Sequence, residues 1–222
     1  PEIWLAGISG FFIYFAYTSL PYYVTYLNES YTLPAVAASV FAILSTSVGR
    51  ISSAFVAGFV TNRLFGSSAG GMRAGLIAIA VLGTTLALIP TSQSLVWIAM
   101  ALLMPLIFVV FFMRALYFAP YGEMGLPPRF SGSVIAVAAF VVYAPSSFGY
   151  LVWGFVLDTY PGETGYRYLF AILAAIGVSG AIAAVVLRRR MGEGLRERIS
   201  RKVALLDAKL GLEGDEKTFA KL

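Results

Sequence analysis

Six apolar runs separated by short polar segments make up most of this 222-residue chain. They cover about residues 3–27, 34–63, 74–89, 95–118, 132–157 and 168–187. Runs of this kind, close to 20 residues long, match the roughly 30 Å hydrocarbon core of a bilayer when helical. The pattern therefore predicts an all-α membrane protein with six transmembrane helices. After residue 187 the pattern changes. Leu195, Ile199, Val203, Leu206 and Leu210 recur every three or four positions with Arg196, Arg198, Arg201 and Lys202 between them. That is a basic amphipathic helix suited to an anionic membrane surface. The chain divides into a bundle at 1–187 and a cytoplasmic tail at 188–222.

The runs are not alike. The third and sixth are uniformly apolar, whereas polarity and proline gather in the other four. In the second run Arg50 stands eleven residues before Thr61, where the apolar stretch ends. That places it about 16 Å deep. An arginine there costs about 2.5–3.5 kcal/mol on insertion scales, so it faces a bundle interior or a wet cavity. Thr46, Ser47 and Ser53 are three or four residues from Arg50, on its helical face. In the first run Tyr14, Tyr17 and Thr18 share a face, and Tyr22, Tyr23 and Tyr26 near its end read as an interfacial aromatic belt. Pro21, Pro105 and Pro145 are expected to bend or interrupt their helices, because proline lacks the amide donor and clashes with the preceding turn. Arg114, a few residues from the end of the fourth run, is placed to snorkel toward the interface. Glu123 reads as a loop residue or a gate partner.

Composition agrees with this class: 59% of residues are hydrophobic and 12% charged, against roughly 25% charged in soluble domains. There is no cysteine and no histidine. That excludes a disulfide framework and removes the commonest metal ligands and general base. With no acid inside any run either, an enzyme is not expected, and neither a cofactor nor a metal is called for. The net charge of +5 raises nucleic acid as a partner, but no recognition motif accompanies it. Its distribution instead follows the membrane. Arg63, Arg73, Arg129 and the tail arginines fall on one side of the six crossings, and only Arg167 lies opposite, beside Glu29, Asp158 and Glu163. Positive-inside asymmetry puts both termini in the cytoplasm of a cell (inner) membrane.

An internal repeat is also visible. Leu33-Pro34 and Leu126-Pro127 precede the second and fifth runs, Ser39-Val40 and Ser133-Val134 open their cores, and Gly58-Phe59-Val60 matches Gly154-Phe155-Val156 at their ends. Three helices per copy make the copies inverted, an architecture found in secondary transporters.

The segment Gly58-x-x-x-Asn62-Arg63-x-x-Gly66 resembles the cytoplasmic loop motif G-x-x-x-D-R-x-G of the major facilitator superfamily. Asn62 replaces the acid and the second glycine is one place late. Gly154-x-x-x-Asp158 and Gly165-Tyr166-Arg167-Tyr168 resemble recurring turn segments of that family. The run MRALYFAPYGEMGLPPRFSG is similar to bacterial sugar or organic-anion permeases. The resemblance implies the C-terminal six-helix half of a twelve-helix bundle, with an N-terminal half missing from this chain. It also implies that the first and fourth helices line a cavity and that the third and sixth face lipid. Because Pro1 is not methionine, the chain is expected to begin partway through a longer protein.

The expected function is alternating-access transport of a small solute, an organic anion or a sugar derivative. Arg50, Tyr14, Tyr17, Thr46, Ser47 and Ser53 are the expected substrate contacts, and Pro21, Pro105, Arg114 and Pro145 the gating positions. A non-transporting membrane sensor or half-module is the alternative. Expected partners are the substrate and membrane lipids.

Overall fold

The computed structural model describes residues 2–126 and 128–210, apart from the side chains of Ala54, Val60, Asn62, Pro128, Arg129 and residues 195–210. The face of the tail helix and the Asn62 side chain therefore lie outside the described residues. Within them the chain is all helix. In order it forms α1 (Glu2–Tyr17), α2 (Tyr22–Tyr31), α3 (Ala35–Val60), a π-helical turn (Thr61–Phe65) and α4 (Ser68–Leu88). A short 3-10 turn (Gln93–Leu95) leads to α5 (Val96–Leu116), α6 (Ala119–Glu123), α7 (Pro128–Tyr143), α8 (Pro145–Thr159) and α9 (Glu163–Leu210). Five helical segments are long and apolar enough to cross a membrane, or six if α1 and α2 count as one span bent by 43°.

That bend is at Pro21. The Thr18 amide is shared between the Tyr14 and Phe15 carbonyls, and the next two close i→i−3 bonds, with Ser19 N–H on the Ala16 carbonyl and Leu20 N–H on that of Tyr17. The Thr18 and Ser19 hydroxyls donate to the Phe15 and Ala16 carbonyls. Local hydroxyls thus supplement the hydrogen bonds of a backbone that proline keeps from continuing as α-helix. Pro145 occupies the first turn of α8 and separates it from α7. Pro105 does not interrupt its helix: α5 runs through it from Val96 to Leu116. Its missing amide frees only the Ala101 carbonyl, and Leu103, Leu106 and Ile107 are buried around it, so packing holds the helix together.

The two bland runs form the most tightly joined pair, α4 against α9. Glycine permits it. A Cβ on Gly177 would lie 2.6 Å from the Ala80 amide nitrogen, and one on Gly83 3.1 Å from the Phe170 carbonyl oxygen and the Ala174 nitrogen. Small residues at a membrane-helix interface let backbones approach, gaining dispersion contacts in place of a hydrophobic drive that lipid does not supply. Half of the α9 span and 44% of α4 are buried, against 24% of α3 and 22% of α7–α8. The third and sixth helices, expected to face lipid, bury one face against each other while Ile77, Val81, Val178 and Ile182 stay exposed, and the fourth span is as buried as the third. Their blandness serves mutual packing, because apolar side chains suit lipid and a protein neighbour equally.

The expected tyrosine belt is likewise internal for two of its members. Tyr23 and Tyr26 are buried, against Phe170 and, for Tyr26, also Tyr31 and Tyr166. Their hydroxyls are met by Ser19 at 2.8 Å and Tyr31 at 3.1 Å. Buried phenols need such partners. Tyr166 donates to Glu29 at 2.9 Å, which pins α9 to the end of α2.

The third helix starts earlier than its apolar run, which begins at about residue 74. Ser67 caps α4 by accepting from the Gly70 amide at 3.1 Å, and α4 starts at Ser68. Arg73 therefore lies inside α4. Gly66 takes the left-handed conformation (φ 66°) that lets the chain leave the π-helical turn.

Candidate functional site

A cavity of about 260 Å³ opens where the bend in the first span meets α3, α5 and α8. Its walls include Tyr17 and Pro21 from the bend, Thr46 and Arg50 from α3, Phe111 from α5 and Tyr150 from α8. Each is there for a local reason. Thr46 and Arg50 are four residues apart on one helix face, and Phe111 and Arg114 are three apart on another. Gly49 lets α3 sit close to α5, since a Cβ there would lie 3.2 Å from the Phe111 ring.

A chain of cation–ring and ring–ring contacts leads from this cavity into the bundle. The Arg50 guanidinium carbon is 5.4 Å from the Phe111 ring centroid. The Phe111 and Tyr17 centroids are 6.0 Å apart. Arg114 lies over Tyr17 at 4.2 Å and within 5.9 Å of Tyr14. Tyr14 meets Tyr143 edge-on at 4.9 Å, and the Tyr143 and Tyr117 hydroxyls are 2.9 Å apart. Ring faces attract guanidinium by about 0.5–2 kcal/mol each, more when water is excluded. They hold the two charges without neutralising them. Among the described residues no carboxylate pairs with Arg50 or Arg114; the ion pairs are Arg167 with Glu163 and Arg190 with Glu193.

Of the expected substrate contacts, Arg50, Tyr17 and Thr46 line the cavity, and Tyr14 joins it through Tyr17 and Arg114. Ser47 and Ser53 do not line it. Ser53 is buried and donates to the Arg50 carbonyl at 3.2 Å, while Ser47 is exposed. Thr46 also donates to its own helix, at the Ala42 carbonyl (2.6 Å), and keeps only lone pairs for a visitor. Among the expected gating positions, Pro21 lines the cavity and Arg114 stacks on the tyrosines. Pro105 and Pro145 lie outside the cavity lining.

Tyr150, Phe111, Tyr117 and Tyr143 are the contributors that sequence reasoning missed. The two breaks bring them in. Trp153 Nε1–H donates to the Thr18 hydroxyl at 2.8 Å, and Tyr22 donates to the Tyr150 carbonyl at 2.9 Å. A Cβ on Gly149 would meet Thr18 Oγ1 at 2.6 Å. The bend in the first span is thereby fastened to α8 just beyond Pro145.

The loop-motif residues lie elsewhere. Gly58 ends α3 with open space around it, and Arg63 in the π-helical turn rests 5.1 Å from the Phe59 ring. Glu123 accepts from the Ser68 amide at 2.8 Å, so the carboxylate sits on the positive end of α4 and ties α6 to it.

Comparison with known proteins gives two relatives. The chain is 27% identical over 198 residues to the inner membrane protein YihN of Escherichia coli (strain K12), covering 89% of this chain and 47% of YihN. It is 28% identical over 180 residues to the inner membrane protein YqcE of the same organism, covering 79% of this chain and 42% of YqcE. The chain thus spans about half the length of the curated relatives it matches. No protein-family model matches it. The resemblance to the major facilitator superfamily is corrected on these findings. Both relatives are named only as inner membrane proteins, and nothing assigns the chain to that superfamily. A degenerate loop motif and matches within apolar runs are too easily met by membrane helices in general. What stands is an all-helical membrane protein similar to inner membrane proteins.

Proposed function

We propose that this protein carries a small anionic solute across the inner membrane by alternating access, with Arg50 as the anchor for the anion. The observation that carries this is Arg50 itself: a guanidinium borne by a helix long and apolar enough to cross a membrane, opening on a cavity, stacked on Phe111 and without a carboxylate partner among the described residues. Keeping a charge there costs a few kcal/mol, and an incoming carboxylate, phosphate or sulfonate offsets that cost through bidentate contacts. Tyr17 and the free lone pairs of Thr46 suit a hydroxylated body such as a sugar acid or a phosphorylated sugar. The small volume favours a compact ligand. The chemistry asked of these residues is recognition and release, not catalysis.

The helix pairings support an inverted-repeat design. The second span packs on the fourth as the fifth packs on the first, and the third on the fourth as the sixth on the first. Exchange of the two halves preserves that pattern, as a pseudo-two-fold axis would require. The fastening of the first span's bend to α8 offers a hinge for opening the cavity to either side.

Binding to purified full-length protein, followed by uptake in proteoliposomes, tests the anchor against a panel of sugar acids, sugar phosphates and small carboxylates. Arg50→Lys keeps the charge but loses the planar fork, and should weaken binding about tenfold, or about 1.4 kcal/mol. Arg50→Ala should nearly abolish uptake. Normal binding of a neutral or cationic ligand by both variants would make Arg50 structural and end the anion reading.

A further inference from the structure

The α4–α9 pair bounds a second concavity, unlike the first in chemistry. It is an open groove of about 910 Å³ with Ile77, Val81 and Leu88 on one bank and Val178, Ile182 and Val186 on the other, all exposed. Its only hydroxyls, Thr84 and Thr85, donate to the Ala80 and Val81 carbonyls of their own helix at 2.8 and 2.9 Å, so their protons are already taken. From Ile77 to Ile89 the wall is twelve residues long, about 18 Å, close to the depth of one leaflet of a core about 30 Å thick.

At Val185, which belongs to both, the groove meets a polar pocket of about 440 Å³ lined by Arg73 of α4 and Arg188 and Arg189 of α9. Glu193 also lines it, but that carboxylate is paired with Arg190 at 3.8 Å. Arg73, half-buried, has no acid partner among the described residues, nor do Arg188 and Arg189. Three guanidiniums are thus gathered where the apolar wall ends.

We propose that groove and pocket together form a site for one anionic phospholipid, with acyl chain along α4 and α9 and phosphate on Arg73, Arg188 and Arg189. An apolar groove alone accepts any lipid tail, and an arginine pocket alone accepts any phosphate. Their continuity selects a molecule that is both. Guanidinium forks match phosphate oxygens bidentately, and basic pockets between membrane helices are known headgroup sites. The site is independent of Arg50 and of what the cavity carries.

Delipidated full-length protein tests this. Its thermal midpoint is measured with dioleoyl phosphatidylglycerol, with dioleoyl phosphatidylcholine or with inorganic phosphate, and bound lipid is counted by native mass spectrometry. One phosphatidylglycerol should be retained and should raise the midpoint, with phosphatidylcholine at least tenfold weaker. The triple variant Arg73→Gln, Arg188→Gln, Arg189→Gln should lose that preference. Should it fold poorly, Arg188→Gln with Arg189→Gln, both exposed, should lower it severalfold. Thr84→Trp with Thr85→Trp fills the groove without touching an arginine, and should weaken retention while leaving the lipid-free midpoint unchanged. Equal stabilisation by inorganic phosphate, equal retention of the two lipids, or unaltered retention in the arginine variants would overturn the proposal. So would finding no lipid because another part of the full-length protein covers the groove.

Discussion

A charge in an apolar run is the loudest signal a membrane sequence carries, and Arg50 was audible for that reason. Its neighbours were not. Phe111 stands in an apolar helix where a phenylalanine costs nothing and announces nothing, yet it holds the guanidinium at 5.4 Å. Ser53 illustrates the reverse: a hydroxyl on the expected face spends its proton on the Arg50 carbonyl. The Trp153 indole is fully buried and donates to Thr18, so its two contributions can be separated by mutation. Trp153→Phe keeps most of the packing and removes the donor, and should lower unfolding stability by about 1 kcal/mol. Trp153→Ala also leaves a cavity and should cost about 3–5 kcal/mol. Thermal unfolding of the purified protein checks both, and equal losses would mean that the hydrogen bond, not the ring, secures the bend.

Helix existence was largely legible, because apolar length alone argues for a span. Helix ends and breaks were not. Pro21 and Pro105 look alike in sequence. The first stands at a bend where Thr18 and Ser19 offer local hydrogen bonds, while the second lies within an uninterrupted helix whose neighbouring Leu103, Leu106 and Ile107 are buried. The same local chemistry moved the start of α4 to Ser68, where Ser67 and Glu123 satisfy its first amides. Glycines were the element-scale signal left unread. Gly177→Ala puts a Cβ 2.6 Å from the Ala80 nitrogen and should destabilise the α4–α9 pair by about 1–3 kcal/mol. Gly192→Ala, in the same helix with open space around it, should be neutral or stabilise by up to about 1 kcal/mol. A denaturation series on the two variants distinguishes close packing from mere helix propensity.

Over the whole molecule, the distribution of arginines predicts an orientation that labelling can read. If both termini are inside, Leu64→Cys should be protected from an impermeant thiol reagent in intact cells and Thr164→Cys should react, in a full-length background cleared of other cysteines. The opposite pattern would reverse the topology. The close glycine contacts between α4 and α9 carry a mechanical consequence. Two backbones in near contact leave little slack for sliding. On the proposed transport reading the pair is the fixed element, and the bent first span with α8 fastened to it is the element that moves. A covalent staple between α4 and α9 should therefore leave a working cycle running, whereas one between α3 and α8, across the cavity, should stop it.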